Sequence, residues 1–211
     1  MGSIYRQVVL GIRGPFSAAM RARRTERFVR SLNLKGGERI IDLGGAPSIW
    51  ADVKPVLDIV MVNLPGAIVT DPGSHHNITY VEGDACGLPQ YADNSFDIAF
   101  SNSVIEHVGG PEKRAAMARE ARRLGRRYWV QTPSIWFPIE AHTYLPFWWF
   151  YPEAVRQSFI RRWRRTVPAW CEMIEETTVL QRSEIERLFP DGEIWTERLM
   201  GLPKSYVAMR L

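Results

Sequence analysis

Two short strings in this chain set an imidazole beside a carboxylate. Glu106-His107 joins them directly, and Glu140-Ala141-His142 spaces them by one residue, so that an extended backbone would turn both side chains to the same side. A carboxylate near an imidazole raises its basicity. The chemistry such a pair offers is removal of a proton from a nucleophile. His142 with Glu140 is the preferred base, His107 the second candidate, and a reaction with no base the rival. His75-His76 is a further pair, but adjacent side chains in a loop with no third ligand nearby read as exposed polar residues, and no metal is expected.

Elements must position these groups. Arg39-Ile40-Ile41-Asp42-Leu43-Gly44-Gly45-Ala46-Pro47-Ser48 runs as a buried strand into an aspartate and then a glycine-permissive turn, where backbone can approach a ligand closely. Further apolar runs end in small or hydrogen-bonding residues: Asp58 to Leu64, Thr79 to Ala85, Phe96 to Ser103 and Tyr128 to Pro133. They read as successive parallel strands with polar tips at one edge, the edge at which open α/β sheets bind ligands.

With Asp-Leu-Gly, Gly-Asp-Ala, Phe-Asp and Glu-His-Val in this order, residues 25 to 135 resemble class I S-adenosylmethionine-dependent methyltransferases, and residues 183 to 211 fit that family's last helix and hairpin. The resemblance implies a Rossmann-like three-layer α/β sandwich, with a mostly parallel seven-stranded sheet and an antiparallel last strand. S-adenosylmethionine is the cofactor it implies. Asp42, Gly44, Gly45 and Ala46 would then lie at the amino-acid moiety, Asn63 and Leu64 at the ribose and adenine, and Asp84 and Ala85 at the adenine edge. Leu88 would face Leu64 across the ring, and Ser101, Asn102 and Ser103 would lie beneath the sulfonium. The chain departs from the family pattern at Ala46 and Ser48, where glycines are usual, and at Asn63, where an acid usually grips the ribose.

The 211 residues suit one domain, with a helical arm over 1–32 and an insertion over 133–170. The longest apolar cluster, Phe147 to Tyr151, is too short to span a bilayer, and two cysteines without metal or framework spacing suit a reducing compartment. A cytoplasmic enzyme is expected, with contact at the inner membrane face open to it. Net charge is +4, and its distribution is uneven. Residues 1–31 hold Arg6, Arg13, Arg21, Arg23, Arg24, Arg27 and Arg30 against Glu26, while 38–97 is acidic and suits a cationic ligand.

Helices are expected over 15–32, 48–56, 111–124 and 152–165, with a capping box at Ser183 to Glu186. The arm segment Ile4 to Leu10 has no evident place. The insertion is dense in aromatic, proline and arginine residues, and its Trp136-Phe137-Pro138-Ile139-Glu140 string is similar to methyltransferases of polysaccharide and cell-envelope biosynthesis. Trp136, Phe137, Tyr144 and Arg161 are its candidate acceptor contacts. The expected reaction is O-methylation of a small-molecule or glycan-type acceptor, anionic or lipid-linked. An RNA acceptor on the basic flanks is the alternative, disfavoured because no RNA-binding module accompanies the domain. A non-catalytic scaffold is the third reading, motivated by Ala46, Ser48 and Asn63.

Overall fold

The computed structural model describes residues 20–67 and 73–211. Seven strands form one sheet in the order β3-β2-β1-β4-β5-β7-β6: β1 (Arg39–Leu43), β2 (Asp58–Asn63), β3 (Asn77–Glu82), β4 (Phe96–Asn102), β5 (Gly125–Pro133), β6 (Glu193–Leu199) and β7 (Leu202–Arg210). The first five are parallel, and β7 runs antiparallel to both neighbours, so that β7 lies inside the sheet and β6 forms its edge. The expected sheet, including its antiparallel last strand, is the one observed.

Continuous apolar runs make the central strands because both faces are covered. On one face, Ile41, Leu43, Ala99, Tyr128 and Val130 pack against α2 (Pro111–Leu124) and α5 (Arg182–Leu188). On the other, Ile40, Ile59, Ile98, Phe100 and Trp129 meet Phe28 and Leu32 of α1 (residues 20–31) and Trp50, Val53 and Leu57 of the β1–β2 connection. Proline at the first turn and Glu112 near the helix start favour α2, as expected. Gly125 at its end is extended rather than left-handed; a side chain there would strike Arg127 O and Ala99 N, so close strand packing requires the glycine.

The structure alters several local expectations. Residues 48–56 hold only a 3₁₀ turn, Pro47–Ile49, and then irregular turns. No capping box forms at Ser183, since α5 starts at Arg182 and Glu186 pairs instead with Arg182 at 2.8 Å. The insertion contains α3 (Glu153–Arg164), as expected, and a further helix, α4 (Pro168–Glu176), which was not. Trp148, Ile160, Cys171 and Ile174 form a small core of its own, with Tyr151, Phe159 and Trp163 around it. Both cysteines are free. The arm at 4–10, and residues 15–19 of the expected first helix, lie outside the described residues.

Candidate active site

The turn after β1 is built by close contact. Gly44 has φ +76°, and a side chain there would meet Val104 Cγ1 at 2.6 Å; one at Gly45 would lie 1.8 Å from Asp42 Oδ2. Neither position admits a larger residue without backbone movement. Asp42 is fully buried, takes a 2.7 Å hydrogen bond from Trp50 Nε1 on Oδ2, and leaves Oδ1 without a partner among the described residues. Burial pushes its carboxyl up to about 7, against the Trp50 bond. An unpartnered buried carboxylate oxygen beside a bare glycine turn fits a cationic group such as the ammonium of S-adenosylmethionine.

Strand register lines up the neighbouring tips, with Leu43 beside Val62 and Asn63 beside Glu82. Asn63 Nδ2 donates to Gly45 O at 3.2 Å, so the amide that replaces the family's acid braces the glycine turn. Asp84 accepts from Cys86 N at 2.9 Å and Lys113 Nζ at 2.8 Å, in a turn rather than at a helix N-cap. These bonds hold its carboxyl below the ordinary range, and the Lys113 contact leads. Ala85 and Leu88 are buried in the core, whereas Leu64 is exposed, so the two leucines do not form an obvious sandwich. Ala46 precedes the 3₁₀ turn in an extended conformation open to any residue.

At the tip of β4 the three polar residues diverge. Ser101 Oγ donates to Leu43 O at 3.0 Å and is wholly buried, a strand-to-strand tie rather than a ligand contact. Asn102 Oδ1 accepts from Arg24 Nη1 at 2.8 Å, and Arg24 also bridges to Glu197 at 2.9 Å. Ser103, at φ +58°, donates to Gln131 Oε1 at 2.9 Å. Arg24 therefore belongs to the framework, as does Arg27, which stacks over Trp195. The basic flank is to that extent structural.

The sharpest juxtaposition brings the segment after β4 against the one after β5. A hairpin-like loop closes with Glu140 N on Leu145 O and Phe147 N on Pro138 O, and Tyr144 and Phe147 take left-handed conformations in it. Its tip carries His142, whose Nδ1 lies 2.7 Å from Glu140 Oε1. The expected pairing is present, but a turn makes it, not an extended strand; Glu140 Oε2 accepts the His142 and Thr143 amides. Burial works against charge on both partners, yet their mutual attraction wins, lowering Glu140 and raising His142 from their ordinary values.

His142 Nε2 faces His107 Nε2 at 3.1 Å. His107 Nδ1 lies 3.1 Å from Thr177 Oγ1, whose proton goes to Met173 O at 2.7 Å. Burial, with His142 beside it, brings His107 down to about 4. Glu106 is fully buried, accepts from Thr132 Oγ1 at 2.9 Å and leaves Oε1 unpartnered among the described residues; burial raises it to about 7. Thus the two base candidates, 35 residues apart, are in contact, and sequence reasoning missed Thr177, Thr132 and the part played by Glu106. Only the Glu106-His107 adjacency signalled any of it.

Of the acceptor candidates, Trp136 is 57% exposed and tilts against Phe150 at 5.6 Å, Phe137 and Tyr144 are half-buried, and Arg161 is exposed on α3. Arg161 does not join the histidine cluster by any contact seen in the structure.

Sheet order, register and a polar rim at the carboxyl edge define a class I methyltransferase fold. A family model described as a methyltransferase domain matches residues 55–127. Phosphoethanolamine N-methyltransferase 2 of Haemonchus contortus, solved with S-adenosylmethionine, is similar at 16% identity and TM-score 0.51, over 82% of this chain and 38% of that one. A Methanosarcina mazei S-adenosylmethionine-dependent methyltransferase is similar at 13% identity and TM-score 0.47, over 83% and 92%. One from Aquifex aeolicus is similar at 13% and 0.49, over 89% of each chain. No curated protein matches in sequence. The fold is that of class I methyltransferases, and residues 55–127 carry the match to the methyltransferase-domain model. Among the described residues, no helix is long and apolar enough to cross a membrane.

Proposed function

We propose that this methyltransferase acts on an oxygen of a small-molecule or glycan-type acceptor, seated between the β4 tip and the insertion. The observation that carries the reading is the Glu140–His142–His107 chain, in which a buried carboxylate backs two half-buried imidazoles beyond the carboxyl ends of β4 and β5. Methylation of an amine held as the free base needs no such device, whereas a hydroxyl must lose its proton.

When bound, the cofactor supplies an electrophilic methyl group. Asp42 Oδ1 would hold its ammonium, the Gly44-Gly45 turn would admit its backbone, Asn63 would meet the ribose, and Asp84 would accept from the adenine amine with carboxylate lone pairs still available. Glu140 keeps the Nδ1 proton on His142, which leaves Nε2 facing His107 and stabilises the imidazolium that forms when the hydroxyl proton reaches the histidine pair. Exposed Trp136 and Phe150 offer a stacking surface for a sugar or lipid carrier, and exposed Arg161, Arg162 and Arg165 at the end of α3 offer charge for phosphate. A cytoplasmic setting with contact at a membrane face agrees with that surface.

The test is transfer of labelled methyl to a panel of phosphorylated glycans, with deoxy and amino analogues. Label on hydroxyl-bearing compounds that vanishes in the deoxy analogue is expected, together with a loss of turnover in His142→Ala at saturating cofactor. Label on amines alone, or full turnover in both His142→Ala and His107→Ala, would remove the oxygen reading.

A further inference from the structure

The histidine cluster has a feature that proton transfer does not explain. Glu140 accepts from His142 Nδ1, so the neutral ring carries its proton there and offers a bare Nε2. Thr177 has one hydroxyl proton and gives it to Met173 O, so its oxygen accepts from His107 Nδ1, and that ring too offers a bare Nε2. The two lone pairs then point at each other across 3.1 Å. Such an arrangement is repulsive unless a positive charge sits between or beside them.

A third donor is aimed at the same place. Glu106, Oε1 of which has no partner, is fully buried, and one ligand atom from each of Glu106, His107 and His142 lies within 4.8 Å of the others. The nitrogen spacing is itself informative. Two nitrogens about 2.1 Å from one ion lie about 3.0 Å apart at a right angle and about 3.4 Å apart at the tetrahedral angle. The observed 3.1 Å falls between these values. Both imidazoles already have the outer partner that metal-bound histidines use to fix tautomer and ring orientation, Glu140 for one and Thr177 for the other. Glu106 is steadied by Thr132 in the same way.

We infer that Glu106, His107 and His142 form a binding site for one divalent first-row transition cation, with the sides away from these three ligands left for a water or an acceptor oxygen. Two imidazoles and one carboxylate suit zinc, iron, manganese or cobalt rather than calcium or magnesium. A cation would give the buried Glu106 Oε1 the partner it lacks among the described residues. Cation binding here does not depend on which acceptor is methylated. If the cation binds, an acceptor hydroxyl placed on it would lose its proton more readily to solvent water, through the lowered pKa of a metal-bound oxygen, and His142 would serve as ligand instead of base.

The experiment uses the full chain, stripped with a chelator and dialysed, then titrated separately with Zn²⁺, Mn²⁺ and Co²⁺ by calorimetry, with Co²⁺ followed by visible absorption. One equivalent is expected to bind, with cobalt bands that report nitrogen ligation. His107→Ala and His142→Ala should abolish binding, Glu140→Gln should weaken it by about 10- to 100-fold, and His75→Ala should leave it unchanged. If the alanine variants misfold, the cobalt spectrum of the unmodified chain and the Glu140→Gln shift still decide. No saturable uptake of any of the three ions, or uptake that survives loss of His107 and His142, overturns the site and leaves a shared proton between the rings. Titration with S-adenosylhomocysteine in the absence of added cation separates the two readings: cofactor binding without cation uptake removes the metal and leaves methyl transfer standing.

Discussion

Trp50 Nε1 donates to Asp42 Oδ2 across 2.7 Å inside a fully buried environment, and the second oxygen of Asp42 has no partner among the described residues. The folded chain therefore keeps a proton on this carboxyl up to about pH 7, where an unfolded chain releases it near 3.8. Between those values the folded state binds more protons, so this group stabilises fully at low pH and its contribution is lost as pH rises through 7. Three units amount to about 4 kcal/mol as an upper bound. Asp42→Asn keeps an acceptor for Trp50 and removes the titration. Urea unfolding of both proteins at pH 5 and pH 8 should show the variant gaining on the parent at the higher pH; parallel curves would contradict the buried, unpartnered carboxylate. The same variant should bind S-adenosylhomocysteine at least about tenfold more weakly, the loss of a charge-assisted contact.

The glycine turn makes a graded prediction. Gly44→Ala combines a left-handed φ with overlap against Val104, and Gly45→Ala forces a methyl into the Asp42 carboxylate. Each should cost about 1–3 kcal/mol and disable cofactor binding. Gly37→Ala has the same unfavourable φ sign with open space around it, so a cost of about 1 kcal/mol with binding intact is expected. Equal losses at all three positions would show that backbone conformation alone, and not contact with Asp42 and Val104, sets the turn.

Arg24 and Glu197 are an ion pair with side chains only 12% and 4% exposed, shared with Asn102 and Ser205. Removing one partner strands a buried charge. Arg24→Ala should therefore lose about 3–5 kcal/mol in denaturant unfolding, and Arg24→Met with Glu197→Gln should recover part of it. A loss below about 1 kcal/mol in the single variant would mean the pair is solvated.

Trp136, Phe147 and Phe150 are each more than half exposed on the insertion. Flotation with vesicles rich in anionic lipid should carry the protein, and Trp136→Ser with Phe150→Ser should release it. Failure of the unmodified chain to float at low salt would assign these rings to a soluble acceptor.

Much of the frame was legible because parallel strands buried on both faces must be written as unbroken apolar runs, and the polar residues that end them stand where chain direction puts one rim. The same logic located Pro111–Leu124 to the residue, from a proline start and a basic last turn. Where local sequence was permissive it misled: 48–56 looks helical, yet Trp50 is drawn inward by Asp42 and Phe28, and helix is forgone. Ser101 and Asn102 looked like ligand contacts because nothing local says that Leu43 O and Arg24 already occupy them. The meeting of His107 with His142, and of both with Glu106 and Thr177, spans four separate segments, and pattern within one segment carries no distance across the fold.

The placement of β7 between β5 and β6 also bears on synthesis. Among the described residues β6 bonds to no strand but β7, and β7 pairs Tyr128 with Arg210 at one end and Pro133 with Ser205 at the other. While a ribosome is still translating residues 202–210, β5 presents an open edge and β6 has no template, so a nascent chain of this enzyme stays adhesive until that stretch clears the exit tunnel.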